Sequence, residues 1–301
     1  MLLSGVRSSA ALATTVLMFL ACSSAPAPAT PSVAPTTTAA ESPLLRVGTY
    51  NIRAGVSTKT FKSALAAFLP RVDVAGLQEV NSRDKEAVLD SLRDDGWAYY
   101  RDEGGRGAQN PVIWDRSRFA LVKARAPRVA RACDVGDEMT VNNGEINAHY
   151  VSVVRLKDRA TGRKISILNA HLPPGAIRAG QRYPGRPLLY ERYVQELIRL
   201  TEVTRTERQW GRTFVLGDFN VGYVADEKYR KRWLPYATFH RMGMASLWAT
   251  SHPESRGTHG DALLDQVYSG KAARRASVAS DIKYSDHRPA IATYTLKALA
   301  K

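Results

Sequence analysis

Apolar residues recur along this chain in two rhythms. Short, nearly unbroken apolar runs at 45–52, 72–78, 112–114, 148–156, 164–170, 213–216, 262–268 and 290–296 have the length of strands. Between them the spacing changes to that of helices. Phe61, Leu65, Ala66 and Phe68 share a face of a helix predicted over 60–69 and ended by Pro70. A second helix over 85–92 is closed by Gly96. A long amphipathic helix over 188–209 sets Leu189, Tyr193, Leu197 and Leu200 on one side. Strands with helices interspersed predict an α/β or α+β domain.

The first 43 residues follow neither rhythm. Arg7 precedes a run of small and apolar residues at 10–21, too short for a permanent span and suited to an export signal over 1–22. Phe19-Leu20-Ala21-Cys22 resembles a bacterial lipobox, with Phe19 where leucine is usual. Two outcomes stay open: a lipidated Cys22 that tethers the protein to a membrane, or ordinary cleavage and free secretion. Residues 23–43 are a Ser/Ala/Pro/Thr tract with little to bury, which predicts a disordered tether. The folded part is then 44–301.

Composition adds two constraints. Hydrophobic residues make up 44% of 301, enough for a sizeable core. The formal net charge of +15 falls wholly on the folded part, because Arg7 and Glu41 cancel in the leader. Such a charge favours polyanionic partners such as nucleic acid or anionic surfaces. Cys22 and Cys133 are the two cysteines, so removal of the leader leaves no disulfide within the domain. The fold must stand on its core, with Cys133 a free thiol.

Six polar clusters sit at or near the ends of the apolar runs. They contain Asn51 and Arg53, Gln78 and Glu79, Asn169 and His171, Asp218 and Asn220, Asp265 and Gln266, and Asp286 and His287. A strand end is a rigid mount for a side chain that projects into a cleft. Carboxylates, amides and imidazoles together suit a hard cation and a phosphate. No Cys/His cluster has the spacing of a zinc site.

The order and spacing of these clusters resemble the endonuclease/exonuclease/phosphatase superfamily, which includes pancreatic-type deoxyribonucleases, apurinic endonucleases, bacterial sphingomyelinases and inositol-phosphate phosphatases. Gly217-Asp218-Phe219-Asn220 and Ser285-Asp286-His287-Arg288-Pro289 are the most specific motifs, and the resemblance runs from about Leu45 to Leu296. It implies a four-layer sandwich of two mixed β-sheets flanked by helices. It also implies roles. Glu79 is the principal metal ligand, with Asn51 and Asp286 framing the metal. His287 is the base that takes a proton from water, and Asp265 orients it. Asp218 and Asn220 contact the scissile phosphate and position the nucleophile, and His171 hydrogen-bonds the phosphate. Asn110 matches an asparagine that opens a substrate-side strand. Arg53 stands where apurinic endonucleases carry an acid, and follows the deoxyribonuclease pattern instead. Glu103 is a candidate acidic partner for His171.

Few acidic ligands beside amides fit Mg²⁺, with Mn²⁺ or Ca²⁺ as alternatives. The expected protein is an exported, monomeric, metal-dependent phosphodiesterase with DNA as the favoured substrate. A sphingomyelinase-like enzyme, an inositol- or sugar-phosphate phosphatase and a non-catalytic binding module are the alternatives. Lys228, Arg230, Lys231 and Arg232, interleaved with Tyr229 and Trp233, either track a nucleic-acid backbone or form a solvated helix face. The same choice holds for Arg178, Arg182 and Arg186 in the loop after His171.

Overall fold

The computed structural model describes residues 43–104, 107–139, 141–250 and 256–296; the expected export signal, Cys22 and the tether up to residue 42 lie outside the described residues, while Pro43, expected as the tether's last residue, accepts a hydrogen bond from Leu296 N–H. Its main strands, in chain order, are β1 (Leu44–Asn51), β2 (Val74–Gln78), β3 (Trp97–Tyr100), β4 (Val112–Asp115), β5 (Phe119–Arg125) and β6 (Ser152–Asp158). They continue with β7 (Lys164–His171), β8 (Arg212–Asp218), β9 (Ala245–Ser246), β10 (Asp265–Ser269), β11 (Arg275–Val278) and β12 (Ala290–Thr295). One six-stranded sheet has the order β11-β12-β1-β2-β4-β3, the other β9-β10-β8-β7-β6-β5. Each is mixed and holds one parallel pair, β1 with β2 and β7 with β8.

Three helices cover the outer faces. α1 (Thr58–Phe68) and α2 (Arg83–Ser91) lie on the first sheet, where Phe61, Leu65, Phe68, Val88 and Leu89 pack with Ala75 and Leu77 of β2. α3 (Pro187–Trp210) lies on the second, where Leu189, Tyr193, Leu197 and Leu200 pack with Leu168 and Val215. The four layers of the expected sandwich are therefore present. Helix starts are set locally. Ser57 and Ser82 accept hydrogen bonds from the N–H groups of Thr60 and Lys85, so each helix begins two residues before its periodic apolar pattern. Pro187 occupies the first turn of α3, where its missing N–H costs nothing.

The space between the sheets explains where chemistry sits. Alternate residues of a strand face the same side. On the inter-sheet side, β1 runs Leu45, Val47, Thr49, Asn51, and β7 runs Ile165, Ile167, Asn169, His171. β8 runs Phe214, Leu216, Asp218, and β2 runs Val74, Gly76, Gln78. Each strand is apolar through its body and polar at its carboxyl end. Gly76 allows the closest approach: a Cβ there would lie 2.1 Å from Leu216 Cδ1 and 2.5 Å from Asn169 Cγ.

Two predicted strands are corrected. The run 148–156 breaks at Val151: His149–Tyr150 pairs with Arg128–Ala130, and only Ser152–Asp158 joins the sheet. The run 262–268 becomes a strand at Asp265, because Thr258 Oγ1 takes the N–H groups of Leu264 and Asp265 first. β3, β5, β9 and β11 were not legible, and neither were α4 (Tyr223–Tyr229) and α5 (Pro235–Arg241). β5 and β11 are flank strands; in β5 the adjacent Leu121 and Val122 are both exposed beside a register shift against β6, so no alternation is legible there.

Two outcomes follow for stability. Gly76→Ala overpacks the inter-sheet seam and lowers unfolding free energy by about 1–3 kcal/mol, read from denaturant midpoints at constant slope. The second concerns Asp226, fully buried in α4, with one oxygen accepting from Tyr236 N–H. Burial pushes its carboxyl from 3.8 up to about 7. The folded state then holds this proton more tightly than the unfolded one, so its contribution is full below the unfolded value and is lost as pH rises to about 7. The thermal midpoint of Asp226→Asn relative to the parent should rise between pH 4 and 7 and level off above; a pH-independent difference would contradict this account.

Candidate active site

The carboxyl ends of the two parallel pairs face each other across the sandwich. Asn51 is in register with Gln78 in one sheet and His171 with Asp218 in the other. The antiparallel neighbour β10 brings Asp265 beside Asp218, and β12 starts just after His287, next to the end of β1. Residues up to 236 positions apart in sequence thus meet because four strand ends stop at one level.

Asp218 is the hub. Its Oδ2 lies 3.1 Å from Asn51 Nδ2, 3.5 Å from His171 Nε2 and 3.7 Å from His287 Nε2. Its Oδ1 accepts from Asn220 N–H at 2.8 Å. Asn220 holds a left-handed φ of 50°, and its side-chain amide donates to Leu172 O at 2.9 Å, tying the ends of β7 and β8 together.

His287 is buried, and its Nδ1 is 2.7 Å from Asp265 Oδ2. Burial by itself lowers the imidazole pKa, but the carboxylates of Asp265, Asp218 and Asp286 outweigh it and push it up to about 9. Burial raises Asp265 in turn, and the charged imidazole holds it back. Such a bond fixes the tautomer, with Nδ1 carrying the hydrogen towards Asp265 and Nε2 left facing the cleft. The exposed ring of His259 lies against His287, with centroids 4.7 Å apart.

Glu79 directly follows β2 with a φ of 64°, a conformation costly for a side chain that is not glycine. Its carboxylate is gripped on both oxygens, by Asn51 Nδ2 at 3.0 Å and by Ala54 N–H at 2.6 Å. The two hydrogens of Asn51 Nδ2 thus bind carboxylates from both sheets. Asn51 Oδ1 is buried with no protein partner among the described residues. An orphaned carbonyl oxygen beside a partly exposed carboxylate fits a hard divalent cation, which takes oxygen ligands and keeps several waters. Asp218, Asp265 and His287 also offer atoms within 4.8 Å of one another. That trio is the poorer cation site, because Asp265 Oδ2 and His287 Nδ1 already satisfy each other.

The structure therefore brings together Asn51, Glu79, His171, Asp218, Asn220, Asp265 and His287. Asp286 and Arg53 lie at the rim, both exposed, 3.8 Å from each other. Ser285 Oγ links them, accepting from Arg53 N–H and lying 3.0 Å from Asp286 Oδ1. Asn110, largely buried at the head of β4, lines the same cleft as His171, and its Oδ1 has no partner among the described residues. Glu103 is exposed, and the carboxylate nearest His171 is that of Asp218.

Three supporting residues were missed. Lys85, 2% exposed, donates to the carbonyls of Arg53 and Ala54 and so holds the turn that presents Ala54 N–H to Glu79. Thr258 shapes the approach to Asp265. Asn169 spans the sheets, accepting from Gln78 Nε2 at 2.6 Å and donating to Leu77 O and Pro111 O. Asn169 stood beside His171 in a polar strand end, which was the available signal; Lys85 and Thr258 carried none.

The fold has solved counterparts. An endonuclease/exonuclease/phosphatase family protein from Bacteroides thetaiotaomicron is 15% identical, with 84% of this chain and 95% of that one covered at a TM-score of 0.60. Mannosyl-6-phosphatase Bt3783 of the same organism is 14% identical, covering 82% and 98% at 0.59. D. rerio TDP2 complexed with a single-strand DNA product is 12% identical, covering 83% and 98% at 0.55. No curated protein matches the chain in sequence. The model of the endonuclease/exonuclease/phosphatase family matches residues 48–287, most of the chain, so this protein belongs to that family of metal-dependent phosphoester hydrolases.

Proposed function

We propose that the protein is an exported, Mg²⁺-dependent phosphodiester hydrolase that cuts DNA with a water activated by His287. The observation that carries this reading is the convergence on Asp218 Oδ2 of Asn51, His171 and His287, beside the orphaned Asn51 Oδ1 and the gripped Glu79. In this reading Asp265 keeps His287 Nε2 free to take a proton from water, the usual role of a carboxylate-backed imidazole. Asp218 and Asn220 orient the water and the phosphate. His171, across Asp218 from His287, hydrogen-bonds the phosphate on the leaving-group side. Glu79 and Asn51, with Asp286 at the rim, hold the cation. A divalent cation there would supply Lewis-acid stabilisation of charge on the phosphate oxygens, and its positive charge would disfavour the charged form of His287.

A basic face supports a polymeric substrate. The hairpin of Ile177–Arg178 with Gln181–Arg182 begins six residues after His171, and α4 begins three residues after Asn220. The hairpin turn backs onto α4: a Cβ on Gly180 would lie 2.6 Å from Ala225 O. Arg178, Arg182 and Arg186 lie over Tyr183 or Tyr190, and Arg230 and Arg232 over Tyr236 and Trp233. None of these five pairs with a carboxylate among the described residues, in contrast to Arg118 and Arg155, which do. Unneutralised cations interleaved with aromatic rings next to a phosphate site suit a nucleic-acid backbone and its bases.

With Mg²⁺ the protein should nick plasmid DNA, and a chelator should stop it. Plasmid that stays intact on long incubation with Mg²⁺ or Mn²⁺ rejects the nuclease reading, and bis(4-nitrophenyl) phosphate then tests for phosphodiesterase activity as such. His287→Ala or Asp265→Asn should lower kcat by about 10²- to 10⁴-fold. Substituting Arg230 and Arg232 with Ser should weaken DNA binding and flatten its salt dependence while leaving bis(4-nitrophenyl) phosphate hydrolysis intact; an unaltered salt slope would remove this face from the substrate path.

A further inference from the structure

A cavity of about 570 Å³ opens beside His171, and the reaction chemistry above does not use it. Its far wall is a ribbon in which His149–Tyr150 pairs with Arg128–Ala130 and Cys133–Asp134 with Glu145–Ile146. The ribbon is clamped onto α3 by Arg192, whose guanidinium is held in a buried ion pair. Arg192, 3% exposed, bonds Glu196 Oε1 at 2.5 Å and reaches the carbonyls of Arg131 and Asn147 on the two arms. Glu196 is fully buried, and both its oxygens approach His149 Nδ1, at 2.9 and 3.0 Å.

This arrangement treats His149 differently from a structural histidine. Arg192 already fastens the ribbon, so the imidazole is not needed as a clamp. Its side chain is 32% exposed on the cavity wall. With Nδ1 held by a buried carboxylate, Nε2 is the edge left for a ligand, and it has no protein partner among the described residues. His171 and Asn110 line the same cavity, the latter with its orphaned Oδ1. The amide of Asn147 and the carboxylate of Glu145 add hydrogen-bonding edges, while Pro173 and Pro174 give apolar surface. A carboxylate on the wall disfavours a second phosphate. Hydrogen-bonding edges around apolar walls, in a space within the range of small-molecule sites, match a sugar joined to a flat base.

We propose that this cavity is a nucleoside subsite flanking the scissile phosphate, with His149 as its specificity residue and Glu196 as the residue that positions it. The proposal rests on the phosphodiesterase reading of the neighbouring cluster, which places a phosphate at His171. It assigns His149 no part in proton transfer.

The test is a calorimetric titration of the full protein with thymidine 5'-monophosphate, glucose 6-phosphate and inorganic phosphate. The nucleotide should bind about tenfold more tightly than inorganic phosphate, the value of one well-placed hydrogen bond with some buried apolar surface. His149→Ala should bring that ratio close to one. Ala148→Phe, which fills the cavity without touching the Arg192–Glu196 pair, should do the same should the first variant fold poorly. Glu196→Gln should lower the ratio partway and more than Arg192→Lys, which loosens the ribbon clamp but leaves Glu196 beside His149; equal losses in the two variants would make Glu196 a structural residue only. A nucleotide that binds no better than inorganic phosphate, an advantage that survives in both cavity variants, or glucose 6-phosphate matching the nucleotide would each overturn the nucleoside assignment. Failure to hydrolyse bis(4-nitrophenyl) phosphate with Mg²⁺ would instead sink the parent reading, and the titration would still decide the cavity.

Discussion

Two asparagines bridge the sheets, and the site depends on them. Asn169 of β7 makes its hydrogen bonds to the first sheet, and Asn51 of β1 reaches Asp218 of the second. Burying amides and a carboxylate between two sheets is costly unless each finds partners. Here the partners come from the opposite sheet, so the sheets must stop at one level and in one register for the cost to be met. Gly76 is the steric counterpart, since a side chain at that point would collide with Leu216 and Asn169.

From this seam the arrangement of the cleft follows. Asp218 is held on both oxygens before any substrate arrives, by Asn51 and by Asn220 N–H, so its carboxylate cannot rotate away. Glu79 and Asn220 keep unfavourable backbone angles because their surroundings over-determine them: Ala54 and Asn51 grip one, and Leu172 and Asp218 grip the other. Local strain that persists under such constraint is typical of preorganised sites. The His287–Asp265 pair follows the same logic, with a buried charge tolerated because its partner is 2.7 Å away. On α3, Arg192 and Glu196 repeat the device, and Glu196 holds Nδ1 of His149 at the wall of the neighbouring cavity.

Irregular structure is concentrated where the seam does not reach. The seam side of the site is built on the ends of β1, β2, β7 and β8, whereas the ribbon over α3, the hairpin after His171 and the α4–α5 region are loops and short elements. Charge and cavity shape reside there, and with them the identity of the substrate.

The sequence by itself determined the strands buried on both faces, because such burial leaves long apolar runs such as 45–52 and 164–170, and the helices α1 to α3, whose single buried face leaves a helical apolar spacing. It determined the polar residues at the strand ends, since an Asp or His that interrupts such a run stands out. It did not show the flank strands β5 and β11, or the helices α4 and α5, whose patterns no second buried face enforces. Only the tertiary structure decided that Lys85 supports Glu79, that Asp218 is the acidic neighbour of His171, and that His149 and Glu196 meet across 47 residues. The physical reason is common to all three. A strand's apolar rhythm is written in consecutive residues, whereas a hydrogen bond between distant side chains exists only after the sheets have docked.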